Sequence, residues 1–354
     1  MNNPAVLPDP SPEILPMKTW TVVADGLHNG FTDMVYWQNV FWLVYVSSPS
    51  HFASSRSRLV IRRSTDAILW EEAARFSGDG QDIRDPKLAV INGRLILYAL
   101  LNKAIDPQPY KTICTQSNDG QTWAPFIDVT PSGWLLGKPE TPDGLTWYAP
   151  AHQVEQGAAR LLSSLDGIHW ENHTVIYEKE MADETAILFA PGGTLLAVTR
   201  LESTPGIFGS PHGGTLISIA RPPYQIWDSQ ATSTMTRLDG PALFSDRRIF
   251  AVGRFQIKTG RPFLYQGSIF SRKRTSLFLV EGWGLTHLAD LPSSGDTSYA
   301  GTVLQEGDLF ISYYSSDPGR DISWIQGMFR PTQINIARIS LSALSDCASH
   351  NKGD

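Results

Sequence analysis

The chain has 354 residues, 42% of them hydrophobic and 18% charged. It can bury a large core, yet it contains no run of 18 apolar residues that would span a membrane as a helix. Its formal charge of −6, from 29 Lys and Arg against 35 Asp and Glu, leaves no basic surplus with which to displace counterions from nucleic acid. Two distant cysteines, Cys114 and Cys347, do not make a disulfide framework.

The first 17 residues carry five prolines and no basic start followed by an apolar stretch. They are expected to be a flexible segment (1–17) and not a secretory signal, so the chain reads as cytoplasmic and the sequon at Asn172-His173-Thr174 as unused. Residues 18–342 are expected to form one folded domain and 343–354 a polar tail that includes Cys347.

From residue 18 onward the pattern is one of short strands. Phe31–Trp37, Val40–Val46, Leu59–Arg63 and Trp70–Arg75 form a first group. Lys87–Ile91, Arg94–Leu100, Thr112–Gln116 and a strand from Trp123 form a second. One motif recurs at the same place in successive groups: Ser64-Thr65-Asp66-Ala67-Ile68-Leu69-Trp70, Ser117-Asn118-Asp119-Gly120-Gln121-Thr122-Trp123 and Ser164-Leu165-Asp166-Gly167-Ile168-His169-Trp170. The copies start 53 and 47 residues apart, a period that marks a propeller blade. Asp followed by Gly favours a tight turn, and a Trp repeated once per unit suits the wedge between neighbouring sheets. Ala67 departs from the Gly of the other two copies.

Strand–turn–strand units continue at 185–200, 241–254 and 302–314, which makes six. The turns Asn92-Gly93, Gly192-Gly193 and Glu306-Gly307-Asp308 separate the first two strands of blades two, four and six. Ser218 to Trp227 and the stretch around Trp283 stand where further, degenerate copies of the motif belong. The expected fold is all-β, a six-bladed propeller of four-stranded antiparallel blades. Trp20–Val23 or Ile334–Ser340 would complete one sheet with strands from both ends of the chain.

The three repeated segments resemble the Asp boxes of sialidases and related propellers, which lie between the third and fourth strands of a blade. In a propeller the inner strands converge on the axis, so polar residues at their starts face a common centre. His28-Asn29 and Asp33, Asp82, Arg84 and Asp85, Asp183-Glu184 and Arg200, Asp239 and Arg254, and Asp296 and Tyr299 hold such positions, with Tyr313 and Tyr314 on a second strand. A charge entering an apolar strand is costly unless paired or used, so its recurrence points to a site. The structural alternative is ion pairing of Arg84 with Asp85, or of Arg200 with Glu184.

Ser294-Gly295-Asp296-Thr297-Ser298-Tyr299 with Ile311-Ser312-Tyr313-Tyr314, Asp183-Glu184-Thr185 leading to Arg200, and Asp239-Gly240-Pro241 leading to Arg254 resemble the last three blades of bacterial sialidase-like glycosidases. That resemblance implies Tyr299 as nucleophile, Glu184 as its activating base, and Arg200 and Arg254 as grips for a substrate carboxylate. The first-blade segment reads Phe31-Thr32-Asp33-Met34 where the family carries an arginine, with Arg84 one blade on as a replacement, and either Asp33 or Asp85 as acid/base. Asp239, Asp296 and His28 complete the substrate-binding set. The implied activity is glycoside hydrolysis of a terminal, acidic sugar. A polysaccharide lyase and a non-catalytic carbohydrate-binding propeller are the alternatives. Scattered histidines without a carboxylate-rich facial pattern, and the lack of a Gly-rich phosphate loop, predict no metal and no cofactor. The expected partner is a carbohydrate or another small polar ligand, with neither nucleic acid nor membrane.

Overall fold

The computed structural model describes residues 15–103, 109–129, 131–153, 157–203, 208–233, 237–257, 264–265 and 267–350. A leading strand, β1 (Lys18–Val23), precedes six antiparallel sheets. Blade one is β2 (His28–Trp37), β3 (Val40–Ser48), β4 (Arg58–Ser64) and β5 (Glu71–Ser77); blade two is β6 (Asp82–Ile91), β7 (Arg94–Asn102), β8 (Pro109–Ser117) and β9 (Ile127–Asp128). Blade three is β10 (Leu135–Leu136), β11 (Trp147–Gln153), β12 (Ala158–Ser164) and β13 (Glu171–Tyr177); blade four is β14 (Ala182–Phe189), β15 (Leu195–Leu201), β16 (Gly214–Ala220) and β17 (Trp227–Ser233). Blade five is β18 (Leu238–Asp246), β19 (Arg248–Gln256), β20 (Lys273–Glu281) and β21 (Gly284–Asp290); blade six is β22 (Thr297–Gln305), β23 (Asp308–Ser315) and β24 (Gln333–Ser340), with β1 outermost. The chain is thus a six-bladed β-propeller.

Ring closure uses both expected segments at once: β1 pairs with β24, Lys18 opposite Arg338 and Trp20 opposite Ile336. The inner strands of blades four, five, six, one and two touch in that order, including β22 of blade six against β2 of blade one, while β14 meets β11 of blade three. Second strands such as β3, β7 and β23 are buried almost throughout, because neighbouring blades cover both of their faces. The core is therefore a set of wedges between blades. In one, Trp42, Val44 and Ile61 of blade one meet Leu88, Leu95 and Leu97 of blade two.

The repeated Ser-x-Asp segments do sit between third and fourth strands, and each turn is held by its own side chains. Oδ1 of Asp119 accepts from the backbone N–H of Gln121 at 2.8 Å and of Thr122 at 2.7 Å, and the Trp123 indole donates to the Gly120 carbonyl at 3.1 Å. Asp66 and Asp166 repeat these bonds, and Ala67 takes φ +60 where the others have Gly. A fourth turn of the same design, Thr141-Pro142-Asp143-Gly144-Leu145-Thr146-Trp147, lies between β10 and β11, with Asp143 accepting from Leu145 and Thr146. Gly120 has φ +72, and a Cβ there would lie 1.9 Å from the Trp42 ring of blade one. Gly120→Ala is accordingly expected to cost about 1–3 kcal/mol, read as a lower urea midpoint with an unchanged slope.

Two expectations shift. The fourth strand of blade two starts at Ile127, not Trp123, since Pro125 has no N–H to give to a ladder. Residues 343–350, expected in a polar tail, belong to a helix, α2 (Leu341–His350), whose Leu344, Cys347 and Ala348 are buried with Leu15 and Ile339. A shorter helix, α1 (Trp324–Met328), lies in the long connection between β23 and β24. Among the described residues no helix is long and apolar enough to cross a membrane.

The inner strands share one irregularity that positions the site. Against their second strands, β2, β6, β14, β18 and β22 each slip register at the same step, between Gly30 and Asp33, Arg84 and Lys87, Ala182 and Thr185, Asp239 and Ala242, and Ser298 and Gly301. At four of these steps the displaced residue has a left-handed backbone: Phe31 (φ 54), Asp85 (φ 46), Gly240 (φ 56) and Tyr299 (φ 49). Such a bulge re-aims one side chain out of the sheet alternation. A non-glycine residue in that conformation costs on the order of 1 kcal/mol, a strain that collects at functional sites.

Candidate functional site

A cavity of about 720 Å³ runs along the axis, walled by the inner strands. Tyr299, Glu184, Asp85 and Arg200 line it, together with Asp33, Lys87, Lys138, Glu140, His152, Asp183 and Glu202.

Tyr299 and Glu184, 115 residues apart, meet on this wall. The Tyr299 phenol donates to Oε1 of Glu184, while Oε2 accepts from Arg200 Nη1 at 2.9 Å and from the Gly240 backbone N–H at 2.8 Å. Phe31 packs edge-on against the Tyr299 ring at 4.9 Å. Burial, and after it the charge of Glu184, push the Tyr299 phenol well above its ordinary value, so it is neutral at neutral pH. Burial alone would raise Glu184, but Arg200, the Tyr299 hydrogen bond and Arg254 together outweigh it and keep the group ionised. A neutral phenol thus faces a carboxylate ready to take its proton.

Behind Arg200 the charges are layered. Arg200 also pairs with Glu202 and lies 3.2 Å from Asp239; Arg237 reaches Glu202 at 2.6 Å and Asp239 at 2.6 Å; Arg254 reaches Asp239 at 3.3 Å. Asp239 is fully buried, which disfavours its charge, yet Arg200, Arg237, Arg254 and Lys273 hold its carboxyl well below the carboxylate range. Arg200 and Arg237, with the Ser210 hydroxyl, overcome burial at Glu202 and bring it down to about 2.

The opposite wall carries carboxyls of the other kind. Burial pushes Asp85 up to about 6, with Lys87 and Arg84 opposing, and its Oδ1 has no hydrogen-bond partner. Burial likewise pushes Glu140 up to about 7, against Lys138. Asp33 is committed elsewhere: it accepts from Lys138 Nζ at 2.7 Å and from the backbone N–H of Met34 and of Leu88, both at 2.8 Å, which ties blade one to blade two. Of the two aspartates expected as acid/base, only Asp85 has an uncommitted oxygen.

Several expected binding residues do not reach the cavity. Arg84 pairs with Asp82, not Asp85, and stacks over Phe31 at 5.6 Å. Arg200 and Glu184 do form an ion pair, within blade four. Arg254, Asp239, Asp296 and His28 are all at most 2% exposed and lie behind the wall. Trp324, the first residue of α1, seals this layer: its ring covers the Arg254 guanidinium at 4.4 Å and the Lys273 ammonium at 4.5 Å, and its indole donates to Asp296 at 2.9 Å. A substrate carboxylate therefore does not find Arg84 or Arg254 at the surface.

Sequence reasoning missed Glu140, Lys138, Glu202, Arg237, Lys273 and Trp324, and it did not bring His51 together with Asp296. His51 instead lies 2.6 Å from Asp296, which also faces His28 at 3.1 Å, so three potential metal donors converge where none were expected. His169 and His173, four residues apart, lie on the outer edge of blade three, bonded to Asp166 and to the Pro223 carbonyl.

No family model and no curated protein sequence matches the chain. Solved structures do. A protein of unknown function from Dyadobacter fermentans DSM 18053 is similar at TM-score 0.69 and 14% identity, over 92% of this chain and 99% of that one. The endosialidase of phage phi92 is similar at TM-score 0.70 and 9% identity, over 92% and 69%. A Trypanosoma rangeli sialidase in complex with sialic acid is similar at TM-score 0.64 and 12% identity, over 94% of this chain but 58% of that one, so the chain spans little more than half its length. At these identities the likeness is one of fold: the chain has the sialidase-like six-bladed propeller.

Proposed function

We propose that this protein is a retaining glycoside hydrolase in which Tyr299 is the nucleophile, Glu184 its base and Asp85 the acid/base. The observation that carries the reading is the Tyr299–Glu184 hydrogen bond on the wall of a cavity large enough for a sugar. The Tyr299 oxygen attacks the anomeric carbon as Glu184 takes the phenolic proton, and Asp85 gives its proton to the departing glycosidic oxygen. Water then attacks the same carbon, Asp85 takes a proton from it, and the phenol leaves with the proton held by Glu184. The left-handed backbones of Tyr299 and Asp85 supply the pre-organisation such a pair requires.

The expectation of an acidic sugar rested on three arginines, each of which pairs with a protein carboxylate. With Asp85 protonated as the acid and Glu140 raised to about 7, the cavity wall still carries the carboxylates of Asp33, Asp183, Glu184 and Glu202 against the cations of Lys87, Lys138 and Arg200, so it holds no surplus of positive charge. Those charges favour a neutral terminal sugar over a carboxylated one. A panel of aryl glycosides, neutral and acidic, tests the reading: turnover of a neutral member supports it, and retention of a sugar without turnover of any member makes the protein a binding module.

Asp85 also fixes a pH dependence. As the acid it acts in the protonated form, so kcat/KM falls about tenfold per unit as pH rises beyond its value of about 6. Asp85→Asn is expected to abolish that alkaline limb and to lower the rate by about 10²–10⁴-fold for a poor leaving group. The comparison of pH–rate profiles between pH 4 and 9 checks it; an unchanged limb in the variant removes Asp85 from the role.

A further inference from the structure

Blade six meets blade one away from the cavity, at the seam where the ring closes. There Nε2 of His28, Nδ1 of His51 and Oδ2 of Asp296 lie within 4.8 Å of one another. His28 begins β2, His51 follows β3 in the next connection, and Asp296 immediately precedes β22.

The proton on His28 is the telling detail. Its Nδ1 lies 2.9 Å from the Arg330 carbonyl oxygen, which can only accept, so Nδ1 carries a proton and Nε2 is the atom left to face the cluster. Nε2 faces a carboxylate oxygen 3.1 Å away without a well-aligned hydrogen bond, and the side chain is 2% exposed. A buried imidazole nitrogen and a carboxylate oxygen this close share a cation, either a proton or a metal ion. The surroundings suit a metal ion: Tyr314 Oη and the Trp324 indole donate to Oδ1 of Asp296 at 3.1 and 2.9 Å, and Arg254 lies 3.6 Å from that same oxygen, so Oδ2 alone points at the histidines. A ligand histidine donating its other N–H to a carbonyl, and a ligand carboxylate anchored through its far oxygen, are the supports that metal sites use.

We propose that His28, His51 and Asp296 bind one divalent transition-metal ion of the zinc class, which staples the inner strands of blades six and one. Two imidazoles and one carboxylate suit zinc, whereas calcium and magnesium take oxygen donors. Bonds of about 2.0–2.2 Å set donors roughly 3.3 Å apart in a tetrahedron. The His28 approach already matches, and His51, on a loop, moves outward to match. The His51 side chain is 18% exposed, against 2% and 0% for the others, so the ion arrives from that side, where water completes the shell.

The full chain, stripped with chelator and titrated with zinc alone, tests this. Equilibrium dialysis with elemental analysis is expected to give one zinc per chain, with a rise in Tm, and cobalt in its place is expected to give a visible absorption band. His51→Ala, the least buried of the three, should fold and lose at least about 100-fold in zinc affinity together with the Tm rise. His28→Gln should do the same. The proposal fails if the wild-type chain takes up no zinc at micromolar concentration, or if His51→Ala binds it as tightly as wild type does. Neither outcome depends on glycosidase activity.

Discussion

Tyr299→Phe is expected to lower kcat on the best aryl glycoside by about 10³-fold or more, with the fold intact. The ring stays wedged against Phe31, and Glu184 keeps its bonds from Arg200 and Gly240, so only one donor to Oε1 is lost. Removing that donor from a half-buried carboxylate on the cavity wall costs at most about 1–3 kcal/mol, a loss visible in the denaturation midpoint but too small to unfold the chain. A fluorinated glycoside that traps the intermediate is expected to add its sugar mass to the peptide bearing Tyr299 in the wild type and not in the variant. More than a tenth of wild-type activity in Tyr299→Phe would show that the phenol is not the nucleophile.

Asp239→Asn has the largest expected effect on stability. Asp239 is 0% exposed and faces Arg200, Arg237 and Arg254 at once, so an amide there leaves three guanidiniums with too little counter-charge. Breaking a buried charge network in this way costs about 3–5 kcal/mol, measurable by urea unfolding at pH 7. The carboxyl is held well below its ordinary range in the folded chain. Its contribution is therefore complete above the unfolded value of about 3.9 and fades as pH falls through the lower folded value. The gap between wild type and variant should stay constant from pH 5 to 8 and narrow only in strong acid. A gap that is already closing at pH 6 would mean that the carboxylate is not the hub of the network.

The blades were legible because their signals are local. Each Ser-x-Asp turn satisfies its own backbone within three residues, so the requirement is written in consecutive positions. The turn at Thr141–Trp147 escaped notice only because Thr replaces Ser and because it lies between a first and a second strand. Tyr299 and Glu184 were found through a resemblance to known blades, and the structure sets them in contact. That Asp33 is committed and Asp85 is not was not legible, since it depends on which carboxylate the Leu88 amide and Lys138 occupy. Nor was the sealing of Arg254, for Trp324 comes from a connection between strands that carries no repeat signal. His28, His51 and Asp296 are spread over the chain and meet only once the ring has closed.

The shared slip in the inner strands has a consequence for how such a protein changes its chemistry. Phe31, Asp85, Asp183, Gly240 and Tyr299 occupy corresponding sockets around the axis, four of them set by a left-handed main chain. Exchanging the occupant of one socket swaps an apolar wall for an acid, a base or a nucleophile while the barrel of strands around it stays as it was. A new reaction could then be reached by single substitutions at these five places, and random libraries confined to them should yield folded proteins far more often than libraries spread over the cavity wall.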